Sequence, residues 1–292
     1  MYDARGSTDQ DISTRQLMIA IGVMVAMLTV LAAVLYWPSA QDRAAGKLEK
    51  YQMNVLEANG NVLKAALPDL KVDKFQQAFM DLDETAYRRF EEPLRQSRNK
   101  THAAQIAGQE LTRYLQANRA YVSNIDVKHI DAMLNLTEKN LHQASRKNNR
   151  FCNGSEYAAL NTKTASPQSL EAIGELFSEQ SSQYVIDMAT LMLEATHDAR
   201  ARPASHGSMS RVDKAAMQGV MLSLLGDKQI RDMMIKAQTG GSPETLFAQA
   251  DMCALGVSMI SAISTLPQDS KGRIWSAMVK GDAAAFDGLV PN

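Results

Sequence analysis

The chain is predicted to be all-α: one N-terminal transmembrane helix followed by an extramembrane helical bundle of roughly seven to nine helices. Three observations predict it. Residues Leu17 to Trp37, "LMIAIGVMVAMLTVLAAVLYW", carry no charge at neutral pH. Nearly every segment beyond them repeats apolar residues at helical spacing. No sustained strand alternation and no internal repeat competes with that period.

Residues 1–16 form a short N-terminal tail, and 17–37 the transmembrane anchor. As a helix the anchor spans about 30 Å, the thickness of a hydrocarbon core. A cleaved export signal has an apolar region of only about 7–15 residues. Pro38-Ser39-Ala40 is also a poor cleavage site, because proline stands where a small residue is needed. The anchor is therefore expected to stay. Apolar character on every face argues against a buried core helix, and Tyr36 and Trp37 fit membrane-interface anchors. Flanking charge does not set the orientation: Arg5, Arg15 and the amine precede the anchor, and Arg43, Lys47 and Lys50 follow it. The tail is too short for a domain, and both cysteines lie beyond the anchor. The large C-terminal domain is thus expected outside the cytoplasm, on the inner membrane of a bacterial envelope facing the periplasm.

Residues 38–150 read as a membrane-proximal helical part. A stripe of Leu48, Gln52, Val55, Leu56, Asn59, Val62, Leu63 and Ala66 continues outward as a stalk until Pro68 stops it. A second helix is marked by Phe75, Phe79, Leu82 and Ala86 and ends near Pro93. The third stripe is Ala104, Ala107, Leu111, Tyr114, Asn118, Tyr121 and Ile125. The fourth is Val127, Ile130, Leu134, Thr137, Leu141 and Ala144. Short connections imply antiparallel neighbours.

The polar stretch "RKNNRFCNGSEYAALNTKTASP" then reads as a loop. Residues 38–150 hold 18 basic and 14 acidic side chains and 151–292 hold 11 and 15, so the charge balance changes sign here. We place a boundary at this loop, with 151–292 as the C-terminal helical part. Ser166-Pro167 is a helix start, followed by Leu170, Ile173, Phe177, Tyr184, Met188, Leu191 and Met192. A break at "HDARARPASHGSMS" leads to Ser210-Arg211-Val212-Asp213, a capping-box pattern with Asp for Glu. Gly240-Gly241 ends that region, and Ser242-Pro243-Glu244 starts a helix containing Cys253. A last short helix covers Arg273 to Val279.

Cys152 in the loop and Cys253 on an apolar helix face are the only cysteines. An even pair in an oxidising compartment is expected to bond and tie the loop to the C-terminal helices. Two reduced cysteines in a cytosolic domain are the alternative. Redox pairs usually sit close in sequence and zinc needs about four ligands, so neither pattern fits.

Catalytic, cofactor and metal constellations are not expected. His102, His129, His142, His197 and His206 have no metal-ligand spacing; His197 and His206 flank one loop. Asp81, Asp83 and Glu92 fall at calcium-loop positions, but Ala86 occupies the required glycine. Ser97-Arg98-Asn99-Lys100 matches S-x-x-K without its companion motifs. The sequons at Asn99, Asn135 and Asn153 are short patterns in an Asn-rich chain, two of them within expected helices. With 31 basic and 32 acidic residues, the charge is too balanced for a nucleic-acid partner. Seventeen methionines, among them Met217, Met221, Met233 and Met234 at helical spacing, are first read as core, and secondly as an adaptable partner groove.

The expected function is a non-enzymatic adaptor or scaffold subunit binding other membrane or envelope proteins and reaching the membrane through 17–37. A ligand-sensing bundle signalling through a partner is the alternative. A cell-wall polymer hydrolase using carboxylates such as Glu91, Glu92 or Glu110 ranks lower.

Overall fold

The computed structural model describes residues 62–67, 69–95, 100–156, 182–238 and 248–286. The anchor with Tyr36 and Trp37, the stalk before Val62, the Ser166-Pro167 start and the Gly240–Glu244 punctuation lie outside the described residues. Among those described, no helix is long and apolar enough to cross a membrane.

The described chain is all-α, with no strand beyond a single bridge between Asn153 and Asp251. In order, its helices are α1 (Val62–Ala66), α2 (Asp73–Arg95), α3 (Lys100–Ala117), α4 (Arg119–Val122) and α5 (Val127–Arg146). Then come α6 (Ser182–Ala201), α7 (Arg211–Leu224), α8 (Lys228–Gln238), α9 (Met252–Ser264) and α10 (Gln268–Lys280). Short 3-10 turns cover Arg150–Cys152 and Ala283–Phe286. Among the described residues α1 to α10 make ten helical segments, of which α4 is a single turn.

A larger core joins α1 through α6. Val62 and Leu63, the end of the expected stalk stripe, are fully buried in it. Its centre is aromatic: Phe79 lies 5.3 Å from Phe90 and 4.8 Å from Tyr114, ring to ring. The fourth stripe is α5, with Ile130, Leu134, Thr137, Leu141 and Ala144 all buried, and α5 packs on α6, α9 and α10. A smaller, methionine-rich core holds Met217, Val220, Leu224, Met233, Met252, Leu255 and Met259 from α7, α8 and α9. Core packing, the first reading of Met217 and Met233, fits their burial.

Five boundaries differ from the sequence reading. The third stripe, expected to run through Tyr121 to Ile125, divides at Asn118 into α3 and the short α4. α2 breaks at Asp83, whose backbone leaves helical geometry (φ −164°, ψ 89°) while its carboxylate accepts the Ala86 N–H at 2.8 Å. Asp83 thus caps a new helical segment rather than serving a calcium loop. α6 continues through His197 to Ala201 because Ala195 and Ala199 are buried and Arg200 donates to the Leu82 carbonyl and to Asn118. The helix holding Cys253 begins at Met252, not at Ser242: Asp251 accepts the N–H groups of Cys253 and Ala254, and the Ala250 carbonyl accepts from Gly154. α10 is longer than expected at its start, since Ser270 and Lys271 are buried there. Polar identity hid both from an apolar pattern.

Candidate interaction site

Most of the described ionisable groups that could carry chemistry are held in structural ties. Asp213, fully buried, closes the capping box with Ser210 and also accepts from both arms of Arg273 at 2.7 and 2.9 Å and from Ser270 at 2.6 Å. Arg273 above all holds its carboxyl well below the usual range. Lys271, nearly buried, donates to Asp131 at 2.7 Å, and Gln268 donates to the same carboxylate. Asp198 gathers Lys128, His129 and Arg202 at 2.7 to 3.0 Å, which lower its pKa.

The carboxylates named for hydrolysis are tied locally. Glu91, buried, accepts from the Tyr87 hydroxyl at 2.9 Å and faces Arg95 at 3.7 Å. Glu92 also faces Arg95, and Glu110 pairs with Arg113 at 2.6 Å. His206 does not partner His197: its Nε2 reaches the Ile125 carbonyl at 2.7 Å, so that nitrogen donates. His129 bonds Asp198 instead.

Cys152 and Cys253, the expected pair, are brought together at disulfide-bonding distance, with Cα atoms 4.8 Å apart and both side chains buried. Asp251 lies beside them in a cluster within 4.8 Å. Its carboxylate is spent on capping α9, and the sulfurs on each other.

What these ties do not explain is a surface. Among the described residues the large exposed hydrophobics are Tyr121, Val212, Leu222 and Ile235. Tyr121 lies under the Arg200 guanidinium at 5.4 Å, which accounts for it. The other three fall on α7 and α8. One face of α7 buries Met217, Val220 and Leu224. On another, Val212, Ala215, Gly219 and Leu222 are all exposed. Exposed Arg211, Lys228, Arg231 and Lys236 occupy the same two helices. Their acids are largely neutralised: Asp213 is buried on Arg273, and Asp232 pairs with Lys228 at 2.6 Å.

In the sequence this face is hidden by Met217 and Met221, which already supply α7 with a core stripe. Placing Val212 and Leu222 on the same wheel would have shown two apolar faces on one helix, more than one core needs. Compared with family models, with curated proteins and with solved structures, the chain gives no match.

Proposed function

We propose that this protein is a single-pass, membrane-anchored adaptor or scaffold subunit of a cell-envelope assembly, without catalytic activity of its own. The observation that carries the reading is the exposed apolar face of α7, made by Val212, Ala215, Gly219 and Leu222. Exposed apolar residues gathered on one element mark interaction surfaces, whereas singly scattered ones need no explanation. The uncharged run Leu17–Trp37 supports attachment to the inner membrane, with Tyr36 and Trp37 at the interface. The paired cysteines support a domain on the oxidising side.

The test is crosslinking in intact cells followed by recovery of the full-length chain from solubilised membranes. We expect a stoichiometric envelope-protein companion that a bait of residues 1–40 alone does not recover. Recovery of no such companion would exclude the adaptor role.

A further inference from the structure

Resting on the anchor reading of Leu17–Trp37, we infer that the basic C-terminal end of α5 docks on anionic phospholipid headgroups of the bilayer that holds the anchor. From Lys139 to Ser155 the sequence has no Asp or Glu. Lys139, Arg146 and Lys147 are exposed, and among the described residues none of the three forms an ion pair. The acids on either side are engaged elsewhere: Glu138 faces His142 at 4.0 Å, and Glu156 pairs with Arg150 at 3.0 Å. Cations in a last turn complement the helix dipole, but Lys139 stands about two turns before the end of α5, beyond the reach of that effect.

Packing sets this end where the chain arrives from the anchor. α5 and α6 run antiparallel, since His129 meets Asp198 and Thr137 meets Tyr184. Arg146 lies about 13 Å past Thr137 along α5, so it projects beyond the first turn of α6. At the same end Gln183 of α6 accepts from the Lys71 N–H at 2.8 Å, and Lys64 of α1 reaches Asp73 of α2 at 3.2 Å. Residues 38–61 therefore lead from Trp37 to this end of the bundle, spanning at most about 85 Å. By chain connection it is the end nearer the bilayer.

Charge separates the two ends. At the far end Lys128 and Arg202 are both spent on Asp198. At the near end the exposed acids include Asp69, Asp73 and Asp187; Lys64 takes Asp73, and Gln183 donates to Asp187. Exposed Lys71 and Lys74 add to the three cations of α5. A layer of phosphates accepts cations from several elements without a shaped pocket, which suits side chains spread over α2 and α5. Each cation near such a surface favours contact by about fivefold, and the attraction fades within a Debye length, about 10 Å at 0.1 M salt. Among the described residues no large exposed hydrophobic lies on α5 or α2, and lysine is depleted at protein interfaces, so headgroups fit this end better than a protein does.

The experiment reconstitutes the full-length chain in vesicles of phosphatidylcholine, alone or mixed with phosphatidylglycerol. A photo-crosslinking amino acid replaces Gln143, exposed between Lys139 and Lys147, or, as a control, exposed Gln116 beside the far end. At about 0.1 M salt, lipid adducts at position 143 should exceed those in neutral vesicles about fivefold or more, and the excess should vanish at about 1 M salt. Position 116 should show no excess. The triple variant Lys139→Gln, Arg146→Gln, Lys147→Gln should keep its helix content and lose the excess. Equal adducts in the two lipids, equal adducts at the two positions, or an excess that survives in the triple variant would overturn the inference. So would an adduct from position 143 to the chain's own residues 157–181, whose Glu171, Glu175 and Glu179 offer these cations an internal partner. An alkaline wash separates this inference from the anchor reading. Chain released by the wash sinks the anchor, whereas chain retained without a lipid adduct sinks the headgroup contact alone.

Discussion

Asp213 belongs to a capping box that the sequence displays, Ser210 to Asp213, but its decisive partner is Arg273, sixty residues away in a predicted helix with no visible link to it. The Ser210 box satisfies N–H groups at the start of α7; Arg273 and Ser270 fasten that start to α10. Because the folded carboxyl titrates below its ordinary value near about 3.9, its contribution is present above that pH and is lost as pH falls below it. Asp213→Asn should cost about 2–4 kcal/mol at neutral pH, since Arg273 loses its counter-charge in a partly buried site. Urea unfolding at pH 7 and at pH 3 checks this: the gap between the two proteins should narrow in acid. A gap independent of pH would assign the loss to packing instead. Thr137 shows the same limit of legibility. Its place on the α5 stripe marks it as inward-facing, but its hydroxyl partner, Tyr184 at 2.9 Å, comes from α6. Burial pushes that tyrosine up to about 12.

Among the elements, periodicity marked α5 closely, because it buries a stripe of ordinary apolar residues, whereas α2 breaks at Asp83 and the third stripe divides at Asn118 into α3 and α4. It failed where tertiary contacts replaced apolar burial. α6 runs past its expected end on the bonds of Arg200, and α10 starts early on a lysine buried against Asp131. The loop between α6 and α7 shows how such contacts hold irregular chain. Ala204 donates to the Asn124 carbonyl at 2.9 Å, and the His206 ring lies against Gly272 of α10. A Cβ at Gly272 would overlap His206 Nδ1. Gly272→Ala should therefore displace the ring and loosen this loop, while the gain in helix propensity, about 1 kcal/mol, offsets the global loss. Amide exchange at Ala204 is expected to accelerate about tenfold or more with little change in global unfolding. Unaltered exchange would mean that the ring adjusts without releasing the loop. Gly256 is a milder case. A Cβ there would lie 2.8 Å from the buried tip of Leu141, so Gly256→Ala should separate α5 and α9 slightly and cost about 1–3 kcal/mol by thermal unfolding.

At the scale of the whole molecule, the Cys152–Cys253 pair stands where the two cores meet. Cys253 belongs to the larger core, while its neighbours Met252 and Leu255 on α9 belong to the smaller. The bridge spans a sequence separation of 101 residues, so the chain-entropy model allows it up to about 4.7 kcal/mol, with about 2–5 typical of native disulfides in small domains. Pairing was legible from an even cysteine count and an apolar helix face; the meeting of two cores was not, because it depends on how α9 crosses α5 and α7. A bond at this junction makes the proposed placement on the oxidising side of a membrane measurable. If the domain faces the oxidising side, a membrane-impermeant maleimide should label neither sulfur in native vesicles of the matching orientation, and both after reduction and unfolding. The Cys152→Ala, Cys253→Ala double variant should unfold about 2–5 kcal/mol more easily, and reductant should bring the native chain close to that variant without affecting the variant itself. The anchor reading requires one further result in the same preparations, that an alkaline wash leaves the chain with the lipid. Chain released by that wash would rule out the membrane span. Thiols found free in native material would place the domain on the reducing side and remove the bond from its stability.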